Sequence, residues 1–419
     1  MCGPVIERMT KVADQWLQDV LIAVYQRPAV TRGEITRATG LNPASVSHAL
    51  RFLVNNGTIQ KMGALQSRGG RRREVLKLNA ESGYFVAVDL ETTRLRVALT
   101  NLIGDVRYRQ EEDLEFGQEL DLQCLAQALD RVQRNLAPWQ RSRILALGLS
   151  YPGVTDDAGR VTAVNLGWHK FPLAEKMRQI TSLPVYLETS CRTYALAERW
   201  IGLAQDTPHC IFVEIGKGVG AGILADDRYL AGSSHMAGEL GHVSVEPGAA
   251  DQCNCGKQGC LEAIVSSSNI VRQYYESVDG GRVPAGVAVN AIFEKARHDD
   301  PAALRVIDRV SRALGLALSH LILLFNPRLI VLGGDVTQGD DMLLPRIRKE
   351  LERHVPEFIR GTELCVTRLG QDIGLKGAAL LAFRNSVRNP VLLKKLCKPI
   401  AETMETRRRG RLTRTLTPN

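Results

Sequence analysis

The stretch Ala237-Gly238-Glu239-Leu240-Gly241-His242, followed after a short interval by Cys253-Asn254-Cys255-Gly256-Lys257-Gln258-Gly259-Cys260-Leu261-Glu262, is the most specific signal in the chain. Three thiolates and one imidazole, from Cys253, Cys255, Cys260 and His242, make a tetrahedral Cys3His ligand set. Protein supplies all four positions, so the set reads as one structural zinc per chain and not as a site that activates water. Gly256 and Gly259 free the backbone for the tight loop that brings Cys255 and Cys260 to one ion. His235 lies near enough in sequence to be an alternative fourth ligand. Incidental free thiols are the competing explanation, but such density with interleaved glycines seldom arises by accident.

Working outward, 419 residues allow about three domains. Hydrophobic residues at 44% and charged residues at 24% exclude wholesale disorder, a collagen-like chain and a membrane bundle. The first sixteen residues lack the apolar core of a secretory signal, and the most apolar helical run, 314–325, is too short to span a bilayer. A cytoplasmic protein without a membrane partner is therefore expected. The nine cysteines, an odd number, then do not suggest a disulfide framework. The net charge of +9 is uneven. Residues 1–79 hold 12 Lys/Arg against 5 Asp/Glu and residues 384–419 hold 10 against 2, so the middle is acidic. Basic ends on an acidic body suggest a polyanion partner for the ends, or simply solvated arms.

Residues 1–79 read as a DNA-binding head. Leu17, Val20, Leu21 and Val24 recur at helical spacing. Thr31 with Glu34 forms a capping box for a second helix that should stop at Gly40. Asn42 caps a third helix, with Pro43 at its first position, running to Gly57. Two helices joined by a short glycine-containing turn make a helix-turn-helix, whose second helix offers Ser45, Ser47, His48 and Arg51 to a major groove. Strands at 59–61 and 75–78 flank a loop containing Arg68, Arg71 and Arg72, the shape of a wing whose arginines would meet phosphates or a narrow minor groove. A three-helix protein-contact module with a solvated basic loop is the alternative.

Residues 80–383 alternate strands (84–88, 96–101, 145–150, 185–188, 210–215 and 330–332) with helices (122–135, 192–201 and 301–325), which argues an α/β fold. Glycine-bearing segments near Asp89 and Glu214 hint at duplicated halves. The run from Ala237 to His242 with the cysteine loop and Glu262 resembles the signature of the ROK family of repressors, open reading frames and kinases. Supporting matches are Leu149-Ser150-Tyr151-Pro152-Gly153, Asn165-Leu166-Gly167-Trp168, Phe325-Asn326-Pro327, Val331-Leu332-Gly333-Gly334 and Leu375-Lys376-Gly377-Ala378-Ala379. The resemblance covers about residues 83–383. With the winged helix in front, it points to the branch of xylose and N-acetylglucosamine repressors. It implies a two-lobed, actin-like sugar-kinase (ribonuclease H-like) body that forms a dimer or tetramer.

Kinases of this family carry Asp-x-Gly-Gly-Thr near the first strand, where this chain reads Asp89-Leu90-Glu91-Thr92-Thr93. Glycines there let backbone N–H groups approach a polyphosphate, whereas Glu91 puts a carboxylate where negative charge should bind. The kinase motif Glu-Asn-Asp-Ala-Asn is replaced by Glu188-Thr189-Ser190-Cys191-Arg192, so the general-base aspartate falls on Ser190. A serine hydroxyl cannot accept the sugar proton near neutral pH, and losing a base costs roughly 10²–10⁴-fold. The glycine loop 216–222 survives, with Lys217 where kinases place threonine. By resemblance Asn165, Glu239, His242 and Glu262 hydrogen-bond sugar hydroxyls, and zinc on one nitrogen of His242 would aim the other N–H into the cleft. Glu239 and Glu262 could equally brace the metal loop.

The expectation is thus a non-enzymatic transcriptional repressor: a winged head (1–79), a sugar-sensing ROK body (80–383) and a flexible basic tail (384–419) that either attracts phosphate or only solubilises. Its expected partners are a double-stranded DNA operator, a sugar or sugar derivative and further copies of the chain. The alternatives are a ROK sugar kinase bearing a DNA-binding arm, or a DNA binder that no longer senses sugar.

Overall fold

The computed structural model describes residues 3–399 apart from residues 28, 66–72, 115–121, 135, 157 and 164–165. The head consists of helices Gly3–Tyr25, Arg32–Thr39 and Pro43–Asn55, then strands Ile59–Leu65 and Arg73–Leu78 paired as a hairpin. A two-residue strand, Val30–Thr31, adds to that hairpin through Val75 and Leu76. The local chemistry is as the sequence predicts. Thr31 and Glu34 satisfy each other's backbone N–H groups, Gly40 ends the second helix at φ 65°, and the Asn42 side chain accepts from Ser45 N–H at 2.8 Å. Val20, Leu21, Ile35, Val46, Leu53 and Leu76 close the core beneath.

The body has two lobes built to one plan. In the first, strands Tyr84–Leu90, Arg94–Asn101, Val106–Asp113, Ile144–Tyr151 and Val185–Thr189 form a sheet with the first strand central. The second and third strands lie antiparallel on one side, and the fourth and fifth parallel on the other. Strands Cys210–Ile215, Val219–Ala225, Arg228–Tyr229, Leu329–Gly333 and Glu363–Val366 repeat this order and polarity in the second lobe. The duplication hinted at by the glycine segments is therefore real. Strand Val106–Asp113 escaped sequence reading because it is a polar edge strand with no face fully buried.

Helices Ser190–Ile201 and Ile373–Arg388 lie between the sheets and pack on each other. Helix Pro301–Phe325, capped by Asp300, is buried along one side of the second lobe, as its apolar content predicts. No helix among the described residues is long and apolar enough to cross a membrane.

The expected flexible tail from 384 needs correction. Helix Ile373–Arg388 runs through that boundary, and a further helix, Pro390–Leu396, is capped by Asn389. Leu392, Leu393 and Leu396 are buried in the same apolar cluster as residues of the head and of the first lobe. Their helical spacing was masked by the surrounding Arg384, Arg388, Lys394, Lys395 and Lys398. Lys395 in fact donates inward to the Ile144 carbonyl at 2.6 Å. Residues 400–419 lie outside the described residues.

Candidate functional site

The loop from His242 to Cys260 is closed by bridges Ser244–Cys260 and Gln252–Gln258 and by the Lys257 carbonyl accepting from Cys253 N–H at 2.8 Å. Gly259 has φ 73° and abuts the Glu246 carbonyl, where a Cβ would sit 2.3 Å away, so only glycine makes this turn. The ligand atoms of His242, Cys253, Cys255 and Cys260 all lie within 4.8 Å of one another. Cys255 Sγ to Cys260 Sγ is 3.8 Å and Cys253 Sγ to His242 Nδ1 is 3.7 Å. A tetrahedron with metal–sulfur bonds of about 2.3 Å has edges of about 3.8 Å, so the cluster has the shape of a zinc cage, whereas a disulfide needs about 2.05 Å. His235 is not in the group; its carbonyl instead accepts from Arg192. The far side of the loop is clamped by Arg309, which donates to Glu246 at 2.6 Å and to Asp251. Arg272 reaches Asp251 at 2.8 Å.

With His242 Nδ1 turned to the thiols, its Nε2 faces Glu239 Oε2 at 3.8 Å on the side away from the cluster. Glu239 is nearly half exposed, and partial desolvation raises its pKa, offset by His242 and reinforced by Glu262. Glu262 accepts from Val219 N–H at 2.9 Å, tying the metal loop to the glycine loop, with its other oxygen left over. Of the two roles weighed for Glu262, this contact is the bracing one. Asn165 lies outside the described residues. A residue the sequence did not single out for this wall is Arg192. Its guanidinium is buried, donates to Glu188 at 3.2 Å and holds the carbonyls of His235 (2.7 Å) and Ala231 (3.3 Å). It therefore fixes the segment leading to Glu239.

On the phosphate side, Asp89 is wholly buried and receives the Arg96 guanidinium at 2.6 Å, and Arg96 also binds Glu91 and the Gln371 carbonyl. Glu91 is thus not a bare carboxylate repelling anions. Asp89, Arg96 and Glu91 instead form an ion triad within the stretch that stands where family kinases carry their glycine loop. Helix Ile373–Arg388 presses against it, since a Cβ on Gly374 would meet the Asp89 carboxylate at 2.1 Å. Ser190 donates to Glu214 Oε2 at 3.3 Å, beside the Cys191 thiol at 3.6 Å. Burial, reinforced by Glu91 and Asp89, pushes the Glu214 pKa up to about 8. The half-buried carboxyl facing the serine is thus shifted towards its protonated form, which makes it a weaker proton acceptor than an ordinary carboxylate.

Residues 85–385 match the ROK family. The chain belongs to the ROK family. It is 30% identical to the N-acetylglucosamine repressor of Escherichia coli over 88% of this chain and 91% of that protein. It is 33% identical to a glucokinase of Halalkalibacterium halodurans over 71% of this chain and 94% of that protein. A solved ROK family transcriptional regulator, described as a homolog of the E. coli MLC protein, superposes with a TM-score of 0.77 at 27% identity, covering 92% of this chain and 99% of that one. The winged head of this ROK chain is therefore built into a regulator-type architecture.

Within that head the recognition helix exposes His48 and Arg51. Trp16 meets the His48 ring edge-on at 6.3 Å. Ser47 donates to the Pro43 carbonyl and accepts from Arg32 at 3.2 Å. Ser45 was expected to face DNA and does not. It is 5% exposed, because its helical phase falls next to Val46 and Ala49 on the core side. Arg32 was overlooked; its pairing with Ser47 is a tertiary contact between the two helices and leaves no mark in local sequence. Arg68, Arg71 and Arg72 lie outside the described residues.

Proposed function

We propose that this ROK chain is a DNA-binding transcriptional repressor that senses a sugar or sugar derivative and has lost sugar-kinase activity. The observation carrying this reading is the asymmetry of the cleft. The sugar wall of Glu239, His242 and Glu262 is organised around a Cys3His cluster, while the phosphate side is blocked by Asp89–Arg96–Glu91 and has Ser190 in the base position. The cluster would hold one structural zinc through His242 Nδ1 and the three cysteines. Zinc there would neutralise thiolate charge and fix the His242 tautomer, leaving Nε2–H to donate to a hydroxyl. Glu239 and Glu262 would accept from neighbouring hydroxyls, so a ligand lacking them would leave carboxylates unpaired. Asn165 completes the set proposed from sequence.

Ser47, His48 and Arg51, with Arg32 and the loop arginines Arg68, Arg71 and Arg72, would contact duplex DNA, and two heads in a homo-oligomer would read paired half-sites. Action on chromosomal DNA places the protein in the cytoplasm. The test is binding to duplex DNA from the chain's own upstream region at fixed salt. It is combined with a melting screen against D-glucose, D-xylose, N-acetyl-D-glucosamine and phosphorylated hexoses. An Arg51→Ala/Arg32→Ala chain that binds as tightly as the parent would end the repressor reading, and a screen without any shift would end the sensing reading.

A further inference from the structure

The two interlobe helices belong to different lobes. Helix Ser190–Ile201 lies against the second-lobe sheet, where a Cβ on Gly222 would stand 2.1 Å from the Cys191 carbonyl oxygen. Helix Ile373–Arg388 lies against the first-lobe sheet, where a Cβ on Gly148 would stand 1.9 Å from the Ala378 carbonyl oxygen. Backbone contact this close leaves no room for either helix to slide on its own sheet, so each must travel with its lobe. The helices meet at Gly377, whose missing Cβ would stand 2.5 Å from the Thr193 carbonyl oxygen. This contact is as close as the other two and allows no sliding either, so it is the pivot about which a change in lobe angle swings the helix ends that lie beyond it.

Both helices start at the cleft. Ser190 and Arg192 touch Glu214 and the segment before Glu239, and Gly374 touches Asp89. Both end at the DNA-binding head. Trp200, about 15 Å along its helix from Ser190, and Phe383 both pack against the ring of Tyr25, with centroid separations of 5.6 and 4.3 Å. The two flanking rings are 6.1 Å apart. Tyr25 is the last residue of the head's first helix, which packs on the recognition helix. Its hydroxyl reaches the first-lobe turn at Gly104, 3.3 Å from where a Cβ would be.

We infer that Tyr25 is the positioning residue through which the angle between the lobes is passed to the DNA-binding head. One flanking ring rides on each lobe. A change in lobe angle shears Trp200 past Phe383, and the Tyr25 ring packed against both must follow. A sugar that favours one lobe angle therefore favours one placement of the recognition helix, and by linkage operator DNA favours or disfavours the sugar equally. This rests on the sensing reading above.

The test uses the full chain and its own upstream duplex. Operator affinity is measured without sugar and with saturating D-glucose, D-xylose or N-acetyl-D-glucosamine, taking whichever gives the largest melting shift. The parent should show a ratio between the two affinities of at least about 5-fold. Tyr25→Ala should bring the ratio to within about 2-fold of unity, while its separate affinities for sugar and for sugar-free operator stay near parental. Tyr25→Phe, which keeps the ring, should retain the parental ratio. Trp200→Leu removes one of the two rings packed on Tyr25 without changing any residue of the head; it should behave like Tyr25→Ala, and it decides the matter if that variant does not fold. A parental ratio in folded Tyr25→Ala or Trp200→Leu overturns the relay and leaves the sensing reading standing. A parent whose operator affinity ignores the sugars overturns both.

Discussion

Replacing Glu214 by glutamine keeps the shape of the side chain and deletes its proton equilibrium, which makes a direct test of the rebuilt phosphate side. The carboxyl is pushed from 4.5 to about 8, first by burial and then by Glu91 and Asp89. A folded-state pKa above the unfolded one means that the native chain prefers the protonated form. Its contribution to stability is complete below about pH 4.5 and is lost as pH rises towards 8. Across pH 6 to 9 the unfolded carboxyl is already ionised, so the parent should lose up to about 2 to 3 kcal/mol that Glu214→Gln keeps. Urea unfolding of both proteins through this range gives the difference directly. Effects of the metal loop are shared by the two chains and cancel, whereas Asp89, itself raised to about 7 and acting on Glu214, is compared through an Asp89→Asn background. The parent should weaken relative to Glu214→Gln with a slope of roughly 1 kcal/mol per pH unit between 6 and 8, levelling off above. Parallel curves would mean that Glu214 is hydrated and ionised at neutral pH. That result would refute the burial argument and return a working base to Ser190's side of the cleft.

Other outcomes follow from the same geometry. Metal analysis should find one zinc per chain, and chelation or Cys255→Ser should destabilise the protein, because structural zinc contributes apparent binding energies on the order of 10 kcal/mol to folding. A metal-free chain that melts like the parent would refute the cage. A coupled ATP-consumption assay over the sugar panel should show no turnover. Ser190→Asp alone should not restore it, because Arg96 and Glu91 still fill the phosphate side; activity at ordinary kinase rates in either chain would reverse the assignment. Leu393→Ala should cost roughly 2–5 kcal/mol, since a fully buried leucine leaves a cavity between head and body. A melting point unchanged by that substitution would mean that helix Pro390–Leu396 carries no part of the seam.

Much of this was legible along the chain because its cause is local. The Thr31–Glu34 box, the Asn42 cap with Pro43 and the stop at Gly40 each depend on residues within about one helical turn, and the three cysteines of the metal loop fall within one short glycine-bearing segment. Strand and helix order in the two lobes follows from runs of apolar residues, which is why the doubled plan could be anticipated from its glycine punctuation. Ser190 at the base position is a matter of residue identity alone.

What could not be read there depends on partners far apart in sequence. Whether Ser45 faces DNA is a question of helical phase against Val46 and Ala49, settled when the head closes its core. Glu91 reads as an exposed anion until folding brings Arg96 between it and Asp89. The helix Pro390–Leu396 is hidden by its lysines until a greasy seam appears for its leucines to cover. The Glu214 carboxyl is pushed up by partial burial and by Glu91 and Asp89, and both depend on the whole packed chain rather than on any segment of it. The contact of Tyr25 with Trp200 and Phe383 joins three segments of the chain, so it exists only once head and both lobes have come together.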